Sequence, residues 1–405
     1  MSALREVSAG WDVLAAQRLE GVRYAIRDIA VVGERLAREG KRIIPLNIGD
    51  PLAFDFSTPP HLVEAVAKAL HDGRNGYAPS AGLPEALEAI RAESERQGIS
   101  NVRTVVVTYG VSEAADVCLT ALVNPGDNVL APCPDYPLYS ALLAKLEAGI
   151  NFYRLEETNG WEPDAEDVER RVNTRTRALL IIHPNNPTGA VYSRRTLEAL
   201  AEVARRHRLL VIADEIYSKL VLDGEAAAPF ATLAPDLPVA TLNGISKAYL
   251  APGWRVGWVT LSGPAGALDA YAEGLHKLLR ARLSANLPMQ YAIRPALEGP
   301  QDHLLETRAR LRARRDATME WAQATPGVEC VPPRGAFYAF PKFQIRGGDE
   351  AFARQLLLEK QVMIVHGTGF GMPEASTYFR IVFLPGEPLL RESYQRIADF
   401  LSASL

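Results

Sequence analysis

Short apolar runs recur between residues 104 and 261, and stretches of helical length separate most of them. The runs are 104–108, 128–131, 150–154, 178–182, 209–213, 239–242 and 256–261. They are rich in Val, Ile, Leu and Ala and are bounded by Gly, Pro and Asn, as strands are. Between them, segments such as 112–122 and 194–207 repeat apolar residues at helical spacing. Strand–helix alternation over about 160 residues predicts an α/β fold, with a mainly parallel seven-stranded sheet held between helices. Ligands of such sheets bind outside the carboxyl ends of the strands, so the residues that follow each run are the candidates for chemistry.

The rest of the chain is read around that sheet. Residues 1–40 read as a helical arm, with Leu14, Leu19, Val22 and Ile26 as a partial apolar stripe and with Tyr24 and Arg27 on one face. Residues 43–51 run from a strand into a turn, where Gly49 permits close approach of the backbone to a ligand. Helices are expected over 60–72 and 83–97, with an exposed loop at 75–82 that carries Tyr77. Residues 265–325 read as long helices, and strands return at 335–340 and 378–383. The glycine-rich 366–371 stretch lacks the spacing of a nucleotide loop and reads as a flexible turn. This divides the chain into 1–58 (arm and small-domain segment), 59–295 (large domain) and 296–405 (smaller α/β domain).

With 405 residues and 48% hydrophobic content, the chain has enough apolar material for both cores. A net charge of −4 without a basic run argues against nucleic acid as a partner. No segment has the length and apolarity of a membrane span, and the first twenty residues lack the core of a signal peptide. Three cysteines without metal spacing fit reduced thiols in the cytoplasm, and no HExxH pattern suggests a metal site.

Five of the predicted strands end in residues that carry chemistry. Tyr109-Gly110-Val111 opens a helix, whose free N–H groups and dipole attract an anion. Tyr136 follows the second strand, Asn185-Asn186 the fourth, and Asp214-Glu215-Ile216-Tyr217 the fifth. After the sixth comes Ser246-Lys247, with Arg255 eight residues beyond the lysine. A lysine in a half-dry strand-end loop loses part of its charge and becomes an amine able to attack a carbonyl. An arginine beside it offers a fork of donors to phosphate. An acid, an amide, an aromatic ring and an anion-binding turn complete what a phosphorylated pyridine aldehyde requires.

In order and spacing, Asn185-Asn186-Pro187-Thr188-Gly189, Asp214-Glu215-Ile216-Tyr217, Ser246-Lys247 and Gly253-Trp254-Arg255-Val256-Gly257 resemble the class I aminotransferases, pyridoxal-phosphate enzymes of fold type I. The resemblance runs from about Val22 to the C-terminus. It implies that Lys247 holds pyridoxal 5′-phosphate and then carries the proton from the substrate Cα. It implies that Asp214 pairs with the pyridine nitrogen, that Asn186 and Tyr217 bind the ring oxygen and that Tyr136 stacks on the ring. Gly110, Val111, Ser246 and Arg255 would hold the phosphate. Gly244 stands where many relatives carry a hydroxyl three residues before the lysine, which leaves that contact to Ser246. Tyr77 matches a loop that reaches the phosphate across a two-fold interface, so a homodimer with shared sites is implied. Arg380 matches the clamp on the substrate α-carboxylate, and Ile48 and Gly49 match the segment that closes over the substrate.

Within the class, Tyr24-Ala25-Ile26-Arg27-Asp28, the 46–51 and 133–137 stretches, Asn243-Gly244-Ile245-Ser246-Lys247 and 281–286 look most like the alanine aminotransferases of bacteria and archaea. Tyr109 departs from that group. The resemblance implies exchange between L-alanine with 2-oxoglutarate and pyruvate with L-glutamate. Arg27, with Arg282 as the alternative, would meet the side-chain carboxylate of glutamate. The motifs leave open a transaminase for aspartate, branched-chain or aromatic amino acids, and a lyase of the same fold. A regulator with an aminotransferase-like domain is disfavoured, because only about forty residues precede the first strand and no basic patch accompanies them.

Overall fold

The computed structural model describes residues 13–224 and 227–404. All seven expected strands form: Val102–Thr108, Asn128–Cys133, Gly149–Glu156, Thr176–Ile182, Leu210–Asp214, Val239–Gly244 and Gly257–Ser262. A two-residue strand, Glu162–Pro163, adds an eighth at one edge. From the other edge the order is 102–108, 257–262, 239–244, 210–214, 176–182, 128–133, 149–156 and 162–163. The five strands from 239–244 to 149–156 pair in parallel. Gly257–Ser262 runs antiparallel to both neighbours. The cause is the connection: residues 245–256 hold only the 3-10 turn Pro252–Trp254 and no crossover helix, so the chain returns beside the strand it has just left. The start of this strand therefore lies level with the ends of its neighbours, Gly257 opposite Gly244 and Thr108.

Successive strand residues enter opposite cores. Leu130, Leu179 and Val211 belong to one apolar cluster, and Val129, Leu180 and Ile212 to another. Both faces are covered, which is why these strands are continuously apolar rather than alternating. The expected helices are present with small shifts at their ends, as Pro60–His71, Pro84–Arg96, Gly110–Thr120 and Arg194–His207. Ser193 caps the last of these by accepting the Thr196 N–H at 3.2 Å.

Three expectations change. The arm is not one helix: a 3-10 turn spans Gln17–Gly21, and the α-helix is Ala25–Arg38. Leu14, Leu19 and Val22 are exposed, and the buried stripe is Ile26, Ile29, Ala30, Gly33 and Leu36. The first twelve residues of the predicted arm lie outside the described residues. The 265–325 region divides into Asp269–Arg282, Leu287–Gln290, Ile293–Glu298 and Asp302–Ala324. Prolines 288, 295 and 300 punctuate it. The 366–371 stretch is a packed 3-10 turn, Gly367–Phe370, rather than a loose one. Asp349 accepts the Thr368 N–H at 2.8 Å, and Gly367 and Phe370 are buried.

The remaining elements gather around a separate apolar cluster that includes Phe337, Phe343, Phe379, Ile381 and Ile397. Tyr338–Ala339, Phe379–Val382 and Val365–His366 form a small antiparallel sheet there. Ile44–Pro45 pairs in parallel with Val362–Met363, and this brings the following 46–50 segment over the carboxyl edge of the large sheet. Among the described residues no helix is long and apolar enough to cross a membrane.

Candidate active site

A cavity of about 510 Å³ opens at that carboxyl edge. Its lining includes Tyr24, Arg27, Ile48, Gly49, Val111, Tyr136, Asn186, Asp214, Tyr217, Ser246, Lys247, Arg255 and Arg380. Gly110 lies directly behind the lining: a Cβ placed on it would come 2.6 Å from an Arg255 guanidinium nitrogen. Tyr77 lies outside the cavity, 80% exposed on its loop. Arg282 is also outside it, paired with Glu113 at 2.7 Å and donating to the Ser80 carbonyl at 2.8 Å.

The strand ends set the geometry. Asp214 is the last residue of its strand, and it pairs across to Ile182 and Leu242. Its Oδ2 accepts the Tyr139 hydroxyl at 2.7 Å and its Oδ1 accepts the Ile216 N–H at 3.3 Å. Burial pushes its carboxyl up to about 6, while the Tyr139 bond and the Lys247 charge oppose the rise. Lys247 Nζ donates to the Gly49 carbonyl at 2.7 Å. Burial, helped by Arg380 and Arg255, pushes its ammonium down to about 8, against the opposing charge of Asp50. Gly49 has no room for a side chain, since a Cβ there would overlap the Tyr338 hydroxyl and lie 2.8 Å from the Phe337 ring.

Asn185 builds the turn that presents Asn186: its Oδ1 accepts the Thr188 N–H at 3.2 Å and the Thr188 hydroxyl at 2.8 Å. Asn186 Oδ1 accepts from Arg380 Nη1 at 3.1 Å, and the other Arg380 terminal nitrogen donates to the Asn47 carbonyl. Arg380 is 1% exposed. Its guanidinium carbon sits 4.7 Å from the Tyr338 ring centroid and 5.0 Å from that of Phe370. Its Nε has no partner, and no carboxylate pairs with it among the described residues. A buried guanidinium without a counter-ion is a strong demand for an anionic ligand. Arg27 at the mouth is exposed and also unpaired among the described residues. Tyr217 and Tyr338 share a hydroxyl–hydroxyl bond of 2.7 Å, as do Tyr24 and Tyr136.

The phosphate-type corner is built from glycine. The helix Gly110–Thr120 starts without a side-chain cap; Glu113 instead accepts the Tyr109 N–H at 2.7 Å. Ser112 is therefore inside the first turn and lines the cavity instead of capping the helix. A Cβ on Gly257 would lie 2.6 Å from the Gly110 carbonyl carbon and 2.7 Å from the Val111 nitrogen. A Cβ on Gly244 would lie 2.6 Å from the Val256 carbonyl oxygen. A side chain at 244 is thus excluded by the returning strand. In all, Arg27, Lys247, Arg255 and Arg380 face the cavity against two carboxylates, Asp50 and Asp214. The balance favours an anion.

Comparison with known proteins gives the family of the chain. The family model for aminotransferase class I and II covers residues 41–396. The chain belongs to the class I and II aminotransferases. Over 396 residues it is 40% identical to the glutamate-pyruvate aminotransferase AlaA of Haemophilus influenzae, covering 96% of this chain and 98% of that protein. It is 39% identical over 394 residues to the alanine aminotransferase of Mycobacterium tuberculosis, covering 95% and 91%. The solved alanine aminotransferase from Pyrococcus furiosus superposes with a TM-score of 0.92 at 38% identity, covering 96% of this chain and all of that one.

Aminotransferases of this family work with pyridoxal 5′-phosphate. The residues present fit that group. The cavity has room for it, a buried carboxylate stands ready for a protonated ring nitrogen, and an uncapped helix start beside Arg255 suits a phosphate. Several cavity residues carried no role on sequence grounds: Asp50, Ser112 and Tyr338, with Tyr139 behind Asp214. Asp50 stands next to Gly49, and Tyr139 lies in the first turn of the helix that Tyr136 directly precedes, so local spacing could have found both. Nothing near Tyr338 in the sequence distinguishes it from the core aromatics beside it.

Proposed function

We propose that this aminotransferase exchanges the amino group between L-alanine and 2-oxoglutarate, giving pyruvate and L-glutamate, as a cytoplasmic homodimer. The observation that carries the substrate reading is the placing of two arginines that pair with no carboxylate among the described residues. One, Arg380, is buried and held by Asn186 and Asn47; the other, Arg27, is exposed at the cavity mouth. Every substrate of the reaction has an α-carboxylate, which suits a fixed, buried clamp. Only glutamate and 2-oxoglutarate have a second carboxylate. A cation that can return to water serves them without being left desolvated and unpaired when alanine binds. The names of the relatives above, glutamate-pyruvate and alanine aminotransferase, agree with this reading.

The same reading assigns the remaining residues. The bound cofactor supplies an electron sink for the pair left when the substrate Cα loses its proton. Lys247 Nζ takes that proton and returns it, a role suited to an amine whose basicity lies near neutral. Asp214 holds a proton on the ring nitrogen by its charge, and Tyr139 holds Asp214 in place. Asn186 accepts Arg380 with its oxygen, which leaves its amide N–H group for the ring oxygen, and the Tyr217 hydroxyl, which also meets Tyr338, would join it there. Tyr136 covers the ring face. The Gly110 and Val111 N–H groups, Ser246 and Arg255 would bind the phosphate, and Tyr77 would reach it from the partner chain. Ile48 and Gly49 cover the substrate and exclude water.

Steady-state kinetics of two variants test the substrate reading. Arg27→Ala is expected to raise KM for glutamate and 2-oxoglutarate about tenfold or more, and to change alanine and pyruvate little. Arg380→Ala is expected to damage all four. Equal damage to alanine and glutamate in Arg27→Ala, or a wild-type preference for aromatic or branched donors, would overturn it.

A further inference from the structure

The glycine-rich turn at 366–371 takes no part in the function just described, but three parts of the site meet on it. The Asp135 N–H, one residue before Tyr136, donates to the Phe370 carbonyl at 2.7 Å. The Phe370 ring is fully buried under the Arg380 guanidinium. Gly369 touches the start of the arm helix: a Cβ built on it would overlap the Ala25 methyl, well inside the 3.0 Å that Cβ atoms keep. Ala25 is the first residue of that helix, directly after Tyr24 and two residues before Arg27.

The turn is held from below. Asp349, itself 2% exposed, accepts both the N–H and the hydroxyl of Thr368, at 2.8 and 3.0 Å. The Gly367 N–H donates to the Tyr378 carbonyl at 2.7 Å. The arm is held at further points: Ile26 and Ile29 share a core with Met363 and with Phe370, the next residue of the turn, and Asn47 Nδ2 donates to the Ile26 carbonyl at 3.3 Å. Gly369 is not among the residues with positive φ, so an alanine there meets no backbone obstacle. The position is glycine for space alone. A Cβ has no rotamer by which to avoid a neighbour, and Ala25 has none either.

We infer that Gly369 is the seat of the arm, a positioning residue that sets how far Arg27 stands over the cavity and so decides discrimination for substrates with a side-chain carboxylate. The inference rests on the role given to Arg27 above. Any side chain at 369 lifts the first turn of the helix, while Ile29, Ala30 and Leu36 keep the rest of it docked. The displacement falls on Tyr24 and Arg27. Arg380 makes no hydrogen bond to the arm helix or to Gly369, its partners being Asn186 and the Asn47 carbonyl, so binding of the α-carboxylate is expected to change less.

The test compares Gly369→Ala, the double variant Ala25→Gly/Gly369→Ala and wild type, all loaded with cofactor. Gly369→Ala is expected to raise KM for glutamate and 2-oxoglutarate about tenfold or more, with alanine and pyruvate within about threefold. Hydrogen exchange of amides 25–30 is expected to rise, while 128–133 and 349–360 stay as in wild type. Removing the Ala25 methyl in the double variant takes away the overlapping atom, so both effects are expected to recede. A general loss of packing would not be rescued by a further deletion and would not separate the two substrate classes. Unchanged exchange at 25–30 in Gly369→Ala overturns the seat whatever Arg27 does. Faster exchange, reversed in the double variant but with all four KM values moved alike, leaves the seat standing and overturns the role of Arg27.

Discussion

Burial acts on Lys247 and Asp214 in opposite directions, and both move toward neutrality: the lysine down to about 8 and the aspartate up to about 6. For Lys247 the uncharged amine grows as pH rises through about 8. Capture of added pyridoxal phosphate by the apoenzyme is therefore expected to accelerate through that range, followed by absorbance. Asp50 is the stronger of two anions that oppose this shift, Asp214 being the other, so Asp50→Asn is expected to move the midpoint to lower pH; a midpoint that stays or rises would contradict the assignment. Asp214→Asn is expected to keep the fold and lose about a hundredfold or more in turnover, since an uncharged amide no longer holds a proton on the ring nitrogen. Near-normal turnover would remove Asp214 from the mechanism. Glu215 beside it is pushed up to about 8 by burial, although it accepts the Phe230 N–H at 2.7 Å. A carboxyl raised in the fold gives stability that is full below its ordinary value of 4.5 and is lost as pH climbs through about 8. Glu215→Gln keeps the acceptor and removes the charge. Its Tm is expected to fall less than that of wild type between those two values, by a few degrees or roughly that order, in thermal scans.

At the level of elements, the site depends on one strand running against its neighbours. Gly257–Ser262 starts where the parallel strands end, which places Arg255 beside the helix start at Gly110. The contact between strand and helix is backbone on backbone and tolerates no side chain. Gly257→Ala puts a methyl 2.6 Å from the Gly110 carbonyl carbon, and overpacking of this kind displaces what it meets. The helix N-terminus should shift away from Arg255, and cofactor affinity should fall about tenfold or more. Equilibrium dialysis of pyridoxal phosphate checks this. Wild-type affinity in a folded Gly257→Ala protein would mean that the corner does not hold the phosphate.

For the whole molecule, the proposed homodimer is supported by what one chain leaves uncovered. Val13, Leu14 and Leu19 of the arm, Leu283, and Tyr77 at 80% exposure are apolar or aromatic surface outside any core of the single chain. Tyr77 also lies outside the cavity that its predicted role requires it to reach. Sedimentation at twice the 44.2 kDa of the chain is expected, with activity lost as dilution separates the chains. A monomer with full activity would end the proposal.

The sequence by itself determined the seven strands, most of the helices between them, and the strand-end residues from Gly110 to Arg255. Those properties are local: apolar runs, turn residues and short motifs are written within a few neighbours. It could not set the direction of Gly257–Ser262, because strand direction depends on whether the connection crosses the sheet. It did not show that Tyr139 holds Asp214 or that Asp50 opposes the shift in Lys247, although both stand beside residues it did identify. Contacts across 194 residues, as between Arg380 and Asn186, or 198, as between Lys247 and Gly49, leave no mark in local spacing. The 366–371 turn shows the difference most clearly. Three glycines in six residues read as freedom, but the tertiary structure uses them as room. Glycine in sequence says only that a side chain is absent, and the packing around it decides whether that absence gives motion or contact.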